Sequence, residues 1–401
     1  MTPSIHSARV FFFLSGGWGP LVRTLPISNR LLDFDVASSF AISGTLGPQI
    51  RAAGFDLIAL SPEVSTAVGA APEWWSPYHF LSAHNADSGT LIAHVEAYRD
   101  AILNGRPAVI VTDINPLAAL AAKSLRVPHV TISQSLFLPF RKLQSSRWAI
   151  PPALPAINKV LRHYGAGLLE SAECLDVGDV TLIPSIPEFD PVKNLPASVH
   201  YIGPILGNEL IPLAAPDRAP PTSAVPEVLF YPGRPQDAAG ASGQVLLKAG
   251  LAALSTLDVT VTVATGGYHF DIPDYPGLRM QIVPWRIISS DYRPSLMVHH
   301  GGHGACLTAI TAGIPSAIVP THAEREYNAR SLAALGCGEL VASGQIAAEG
   351  IRRLIENVLG NPAFARESRR WSRTIAGRKY EGADLAARII MRMIAAHSQK
   401  G

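Results

Sequence analysis

Two runs of alternating strand-like and helix-like text, separated by a stretch too rich in proline to be either, constrain this chain more than any other feature. The stretch is residues 207–226, where Pro212, Pro216, Pro220, Pro221 and Pro226 fall among small and polar residues. Each proline fixes φ and removes a backbone donor, so neither a helix interior nor a central strand tolerates this spacing. Before it, β-branched or aromatic runs at 9–14, 36–42, 55–60, 108–111, 127–132 and 180–183 alternate with Ala- and Leu-rich stretches. After it, runs at 228–231, 259–264, 279–283, 295–299 and 316–319 do the same, with an Ala-rich helix over 323–335. Strands separated by helical patterns predict parallel βαβ units. The expected organisation is an α/β domain over 1–206, a linker over 207–226 and a second α/β domain over 227–380. A final helix within 381–401 has an Ala/Ile/Met face suited to packing back on the first domain.

Composition narrows the function classes. With 48% hydrophobic and 16% charged residues, the chain lacks the signature of disorder. The 33 basic and 31 acidic residues leave a net +2, too little to hold nucleic acid regardless of sequence, so a small, locally recognised ligand is expected. Cys174, Cys306 and Cys337 lie far apart, without zinc or disulfide spacing, and read as buried small residues in a reducing cytosol. The apolar run 10–14 has no basic start and no small-residue cleavage site, so it reads as a first buried strand rather than a signal peptide. No segment reaches the ~18 apolar residues of a membrane span. A cytoplasmic location is the expectation.

The chemistry concentrates in residues 297–320, where an apolar strand runs through His299-His300-Gly301-Gly302-His303-Gly304 into Ala305 and a helical pattern. A helix opened by such a turn offers unpaired N–H groups and a positive dipole end to a phosphate, and the glycines let that backbone come close. His300 adds a ring donor. Earlier, the strand at 107–113 ends in Asp113, at the carboxyl edge where parallel sheets place ligands.

The segment 282–329 resembles the donor signature of the family 1 glycosyltransferases, the group that contains macrolide, glycopeptide, sterol and plant secondary-metabolite enzymes. The matching text is His-His-Gly-Gly-x-Gly, then Ala312-Gly313-Ile314-Pro315, then Val319-Pro320, a polar pair, and Asn328-Ala329. The resemblance implies the GT-B fold, two Rossmann-like domains with an interdomain cleft, the donor in the C-terminal lobe and the acceptor in the N-terminal lobe. It gives His300 a pyrophosphate contact and gives the N–H groups of Gly302, Gly304 and Ala305 the phosphate cradle, with Gly301 also in the donor site. Gly233 and Arg234 match the phosphate-holding turn after the second domain's first strand, Val283 the base-reading backbone, and Trp285 a ring against the base.

Three departures from the pattern bear on specificity and mechanism. Many members that use uridine donors carry a ribose-gripping glutamate eight positions after the phosphate histidine; here Thr308 stands there, which favours a thymidine over a uridine donor. The sugar-contacting pair, commonly Asp-Gln, is Glu324-Arg325, which points to an unusual sugar, deoxygenated or charged. The usual general-base histidine falls at Pro20, or at Gly17 in a shifted register, and neither can take a proton. Its usual partner is present as Asp113, which is expected to act as base itself, with His79 and His84 as alternatives. Trp18, Trp74, Trp75 and Tyr78 supply aromatic surface for a flat or hydrophobic acceptor. Arg141, Lys142 and Arg147, among Phe137, Phe140 and Trp148, suit weak contact with a membrane surface or an acidic acceptor.

The expected function is inverting, metal-independent transfer of a sugar from a nucleotide diphosphate, dTDP favoured over UDP, to a small natural-product acceptor, with no cofactor beyond the nucleotide sugar. A non-catalytic nucleotide-sugar-binding auxiliary protein and an epimerase of the same fold are the alternatives. The sequence leaves a homodimer open.

Overall fold

The computed structural model describes residues 8–61, 77–84, 88–141, 152–206, 225–236, 242–285, 288, 292–342 and 346–398. The first domain is built on a parallel sheet of β1 (Arg9–Leu14), β2 (Ala37–Ile42), β3 (Asp56–Leu57), β4 (Val109–Asp113), β5 (His129–Ile132), β6 (Val180–Ile183) and β7 (Val199–Tyr201), in the order β3-β2-β1-β4-β5-β6-β7. The second sheet comprises β8 (Glu227–Tyr231), β9 (Thr260–Ala264), β10 (Arg279–Val283), β11 (Leu296–His299), β12 (Ser316–Ile318) and β13 (Gly338–Leu340), in the order β10-β9-β8-β11-β12-β13. Both sheets are parallel and doubly wound, with the order reversing beside the first strand of each.

Central β1 shows why the sheet forms where it does. Its residues Val10 to Leu14 are buried on both faces, as a parallel strand covered by helices on two sides requires. The expected strand at 55–60 contracts to Asp56–Leu57 because it lies at the sheet edge, where one neighbour gives few ladder bonds. β7 and β13, three residues each, escape sequence reading for the same reason. The stretch 207–224 lies outside the described residues.

The last helix, Ala383–Ser398, packs on the first helix, Trp18–Leu32. Its Ala386, Ala387 and Ile390 have no exposed surface and join the first domain's core around Val10, Phe12 and Leu31. Burying a side chain such as Ile390 or Ile394 is worth roughly 1.5–3 kcal/mol. Arg30 pairs with Asp384 across this contact at 2.8 Å. The returning chain also touches the departing one: the Gly382 N–H donates to the Ile202 carbonyl at 2.9 Å, and Gly203, at φ +85°, lies so close to Tyr380 that a Cβ there would stand 2.2 Å from the tyrosine Cβ. Alongside, Arg378 makes a two-pronged ion pair with Glu188.

Candidate functional site

The turns at the carboxyl ends of β1 and β8 approach each other from the two domains, with Arg234 beside Gly17. In the second domain β11 ends at His299, and the chain passes Gly301 and Gly302 before the helix His303–Ala312 begins. Gly301, at φ +82°, takes a conformation that side chains resist, and a Cβ there would stand 2.6 Å from the Arg325 carbonyl. Its N–H donates to His299 Nδ1 at 3.2 Å. Burial lowers the His299 pKa to about 3, so this ring is a neutral acceptor that holds the turn.

His300 is different. Its ring is clamped between two glycines: a Cβ on Gly302 would lie 2.5 Å from Nε2, and one on Gly233 would lie 3.0 Å from the ring. Tyr231 packs edge-on at 5.3 Å. Burial, then the charge of Arg325, then His299 depress the His300 pKa, so the imidazole stays neutral with one donor nitrogen. Its Nδ1 is buried without a hydrogen-bond partner, an arrangement that costs free energy unless a ligand completes it. Immediately after it, the helix is capped at Gly302 with no side-chain bond to its first turn. Gly304 is exposed, and a Cβ there would meet nothing within 4 Å. Ala305 is buried behind it and Thr308 half-buried one turn on. The neutral donor and the uncapped helix start thus adjoin one open face.

Around this face stand the other expected donor residues. Arg325 is buried and bonds Thr321 Oγ1. Glu324 accepts from Asn328 Nδ2 at 2.8 Å. Arg234 reaches toward the first domain, where its Nη1 lies 3.5 Å from a Cβ built on Gly17. Trp285 is 45% exposed and meets Trp18 edge-on, centroids 4.8 Å apart, so an expected donor residue and an expected acceptor residue close on each other across the cleft. The Val283 carbonyl accepts the Thr265 N–H at 2.9 Å. That carbonyl ties the end of β10 to the end of β9.

The acceptor side departs further from expectation. Asp113 has no exposed surface, and both its oxygens accept from Arg23, Nε to Oδ2 at 3.0 Å and Nη2 to Oδ1 at 2.7 Å. A carboxylate closed in this way cannot receive an acceptor hydroxyl, which corrects its assignment as the base. The helix after β4 is capped instead by Asn115, whose Oδ1 accepts the Ala118 N–H at 3.1 Å. Tyr78 is 1% exposed and donates to Asp176, so it belongs to the core and not to an acceptor surface. His84 sits against Phe80, with Nδ1 2.8 Å from that residue's carbonyl, as the end of its own helix. His79 lies half-buried on the short helix Pro77–Ala83. Trp74, Trp75, Lys142, Arg147 and Trp148 lie outside the described residues. Arg141 is paired with Glu173 at 3.1 Å and Phe137 is buried, which leaves the membrane-contact reading without these two groups. No helix among the described residues is long and apolar enough to cross a membrane.

Sequence reasoning missed two features. Arg23 stands three residues after Pro20 on one helix, hence on the same face, but its pairing with Asp113, 90 residues away, is not readable from the helical period. The second is a buried polar bridge between domains: Asp190 accepts from the Ser135 N–H at 2.8 Å and lies 3.3 Å from His303 Nε2, while Ser135 Oγ and Tyr327 Oη are 2.9 Å apart. His303 was visible in the glycine motif, but its partner 113 residues away was not.

Residues 251–381 match the family described as "Erythromycin biosynthesis protein CIII-like, C-terminal domain". A Mycobacterium tuberculosis protein named PGL/p-HBAD biosynthesis glycosyltransferase is 23% identical over 391 residues, covering 84% of each chain. Among solved structures, a calicheamicin glycosyltransferase superposes with a TM-score of 0.70 at 19% identity, covering 96% of this chain and 98% of that one. A spinosyn rhamnosyltransferase complexed with thymidine diphosphate gives 0.64 at 19% identity, covering 95% and 99%.

Proposed function

We propose that this chain, a glycosyltransferase of GT-B fold and family 1 type, transfers a sugar from a thymidine diphosphate donor to a small natural-product acceptor in a reducing cytosol. The observation that carries the donor half is His300: neutral, buried, held between Gly233 and Gly302, with an unpartnered nitrogen beside an uncapped helix start. In the reaction the acceptor oxygen attacks the anomeric carbon from the face opposite the diphosphate, which inverts that centre. The C–O bond to the diphosphate breaks, and its electron pair leaves with the phosphate oxygen. Negative charge then grows where the helix N–H groups, His300 and Arg234 can meet it, so protein groups take the role that a metal plays elsewhere. Preference for thymidine rests on Thr308, which has no carboxylate to grip a ribose 2′-hydroxyl, and is supported by the spinosyn enzyme's complex with thymidine diphosphate.

Calorimetric titration of thymidine diphosphate tests the donor site. His300→Ala should weaken binding by about 1–3 kcal/mol, the cost of losing a hydrogen bond to a charged group. Unchanged affinity removes His300 from the site. A non-catalytic binding role is favoured by one observation, the closure of Asp113 by Arg23. Turnover of a thymidine diphosphate sugar by the wild type decides between the two.

A further inference from the structure

The place where this reaction usually needs a proton acceptor holds a cation. Arg23 is 6% exposed and fixed by two hydrogen bonds to Asp113, which use its Nε and Nη2 and not its Nη1. Its Nη1 turns back along its own helix to the first turn, 3.7 Å from a Cβ built on Gly19. Arg234 meets the turn before that helix from the other domain, at Gly17. Gly17 itself is at φ +124°, and Gly16 packs on Ser43 so closely that a Cβ would stand 2.8 Å from its carbonyl oxygen. The Gly16-Gly17 turn is therefore tight and bare, with the Arg234 guanidinium against it from the second domain and the Arg23 guanidinium against the first helical turn that follows. A guanidinium cannot accept a proton, but it holds an oxyanion with directed N–H donors.

We infer that Arg23 receives the acceptor as an anion, and that the acceptors of this enzyme carry an oxygen already ionised at neutral pH, a carboxylate or an acidic phenolate. This rests on the glycosyltransferase reading above and deepens it. The carboxylate or phenolate oxygen forms the new bond to the anomeric carbon with its own electron pair. The bond to the diphosphate breaks and takes its pair with the leaving group, and no proton moves. No general base is required, which accounts for an Asp113 committed to orienting Arg23. Arg23 is then a residue that touches substrate and Asp113 a positioning residue.

The test uses the full-length enzyme with dTDP-glucose and three probes: benzoate, 4-nitrophenol and benzyl alcohol. Transfer or binding in the presence of thymidine diphosphate should favour the two acids over the alcohol by at least tenfold. With benzoate the pH profile should be flat from about pH 5 to 8, since a carboxylate with a pKa near 4 is already ionised there. With 4-nitrophenol it should rise and level off at that phenol's own pKa. Arg23→Gln should lower kcat/KM for the acids by about 10- to 100-fold, the scale of one charge-assisted hydrogen bond, and leave thymidine diphosphate affinity as it was. Because that variant strands Asp113 without its partner, Arg23→Gln with Asp113→Asn is made alongside and checked by thermal melting; it should show the same loss, and Arg23→Lys a smaller one. Equal use of benzyl alcohol, or acids that neither bind nor react while thymidine diphosphate still binds, overturns the inference alone. If thymidine diphosphate itself fails to bind, the donor-site reading falls first.

Discussion

Replacing Gly304 by alanine should move stability and affinity in opposite directions. The residue lies in the first turn of the helix His303–Ala312, its φ is not in the left-handed region, and a Cβ would find no atom within 4 Å. Nothing in the free protein resists the methyl group. Glycine costs a helix about 0.5–1 kcal/mol relative to alanine, so Gly304→Ala should raise stability by up to ~1 kcal/mol, or roughly 2–4 °C in Tm for a domain of this size. The same open space is where a diphosphate would approach the helix N–H groups. A methyl group there holds a phosphate oxygen away from hydrogen-bonding distance, and losing one such bond to a charged group costs about 1.5–3 kcal/mol, or ~10- to 100-fold in Kd. Thermal melts without ligand read the first effect, and titration calorimetry with thymidine diphosphate reads the second. A variant that is more stable and binds as tightly as wild type would show that the ligand does not approach over Gly304.

Asp176 offers a test by pH. Burial, the largest cause, raises its pKa from 3.8 to about 7 against a bonded Tyr78 that pulls the other way. A carboxyl raised on folding binds its proton more tightly in the folded state, so its stabilising contribution is full below pH ~4 and is lost as pH climbs through 7. Three pKa units correspond to a loss of order 4 kcal/mol across that window, and Asp176→Asn should flatten denaturant-derived stability over pH 4–7; an unaltered slope would refute it. Thr308→Glu should restore a ribose-gripping carboxylate and shift the ratio of uridine to thymidine diphosphate affinity toward uridine by about tenfold, the worth of one good hydrogen bond; competition binding reads the ratio, and no shift would place Thr308 away from the ribose. Trp285→Ala should weaken nucleotide binding by about 1–2 kcal/mol if its ring lies on the base; fluorescence quenching on nucleotide addition, present in wild type and reduced in the variant, is the companion measurement.

What sequence reveals here follows physical range. The strands of both sheets were legible where burial on two faces forces an unbroken apolar run, as in Phe11-Phe12-Phe13, and were lost at β7 and β13, edge strands of three residues each, while the five-residue edge strand β10 was legible. The turn through Gly301 and Gly302 was legible because backbone strain and close packing leave only glycine, and the structure puts His300 between Gly233 and Gly302, residues 69 apart in sequence that the motif alone could not join. On the acceptor side a single aspartate was read without its neighbour. Asp113 looks the same in sequence whether it faces a histidine, a solvent cleft or Arg23, since a side chain's partner is a three-dimensional fact. Tyr78 failed similarly: an aromatic in a histidine- and tryptophan-rich stretch suggests a binding surface, and only the placement of Asp176 shows that its hydroxyl is satisfied in the core.

The neighbouring passes of the chain at Ile202–Gly203 and Tyr380–Gly382 bear on how the two lobes can move. A protein whose halves are joined once can swivel about any axis through the joint, but here the strand that leaves and the strand that returns lie side by side, tied by the Gly382 to Ile202 hydrogen bond and braced by Arg378 on Glu188. Two adjacent passes restrain relative rotation of the lobes more than a single crossing would, and the buried bonds of Asp190 to His303 and of Ser135 to Tyr327 brace them at a second place. Any side chain added at Gly203 would push Tyr380 away and loosen this double crossing without touching a residue assigned to the donor site.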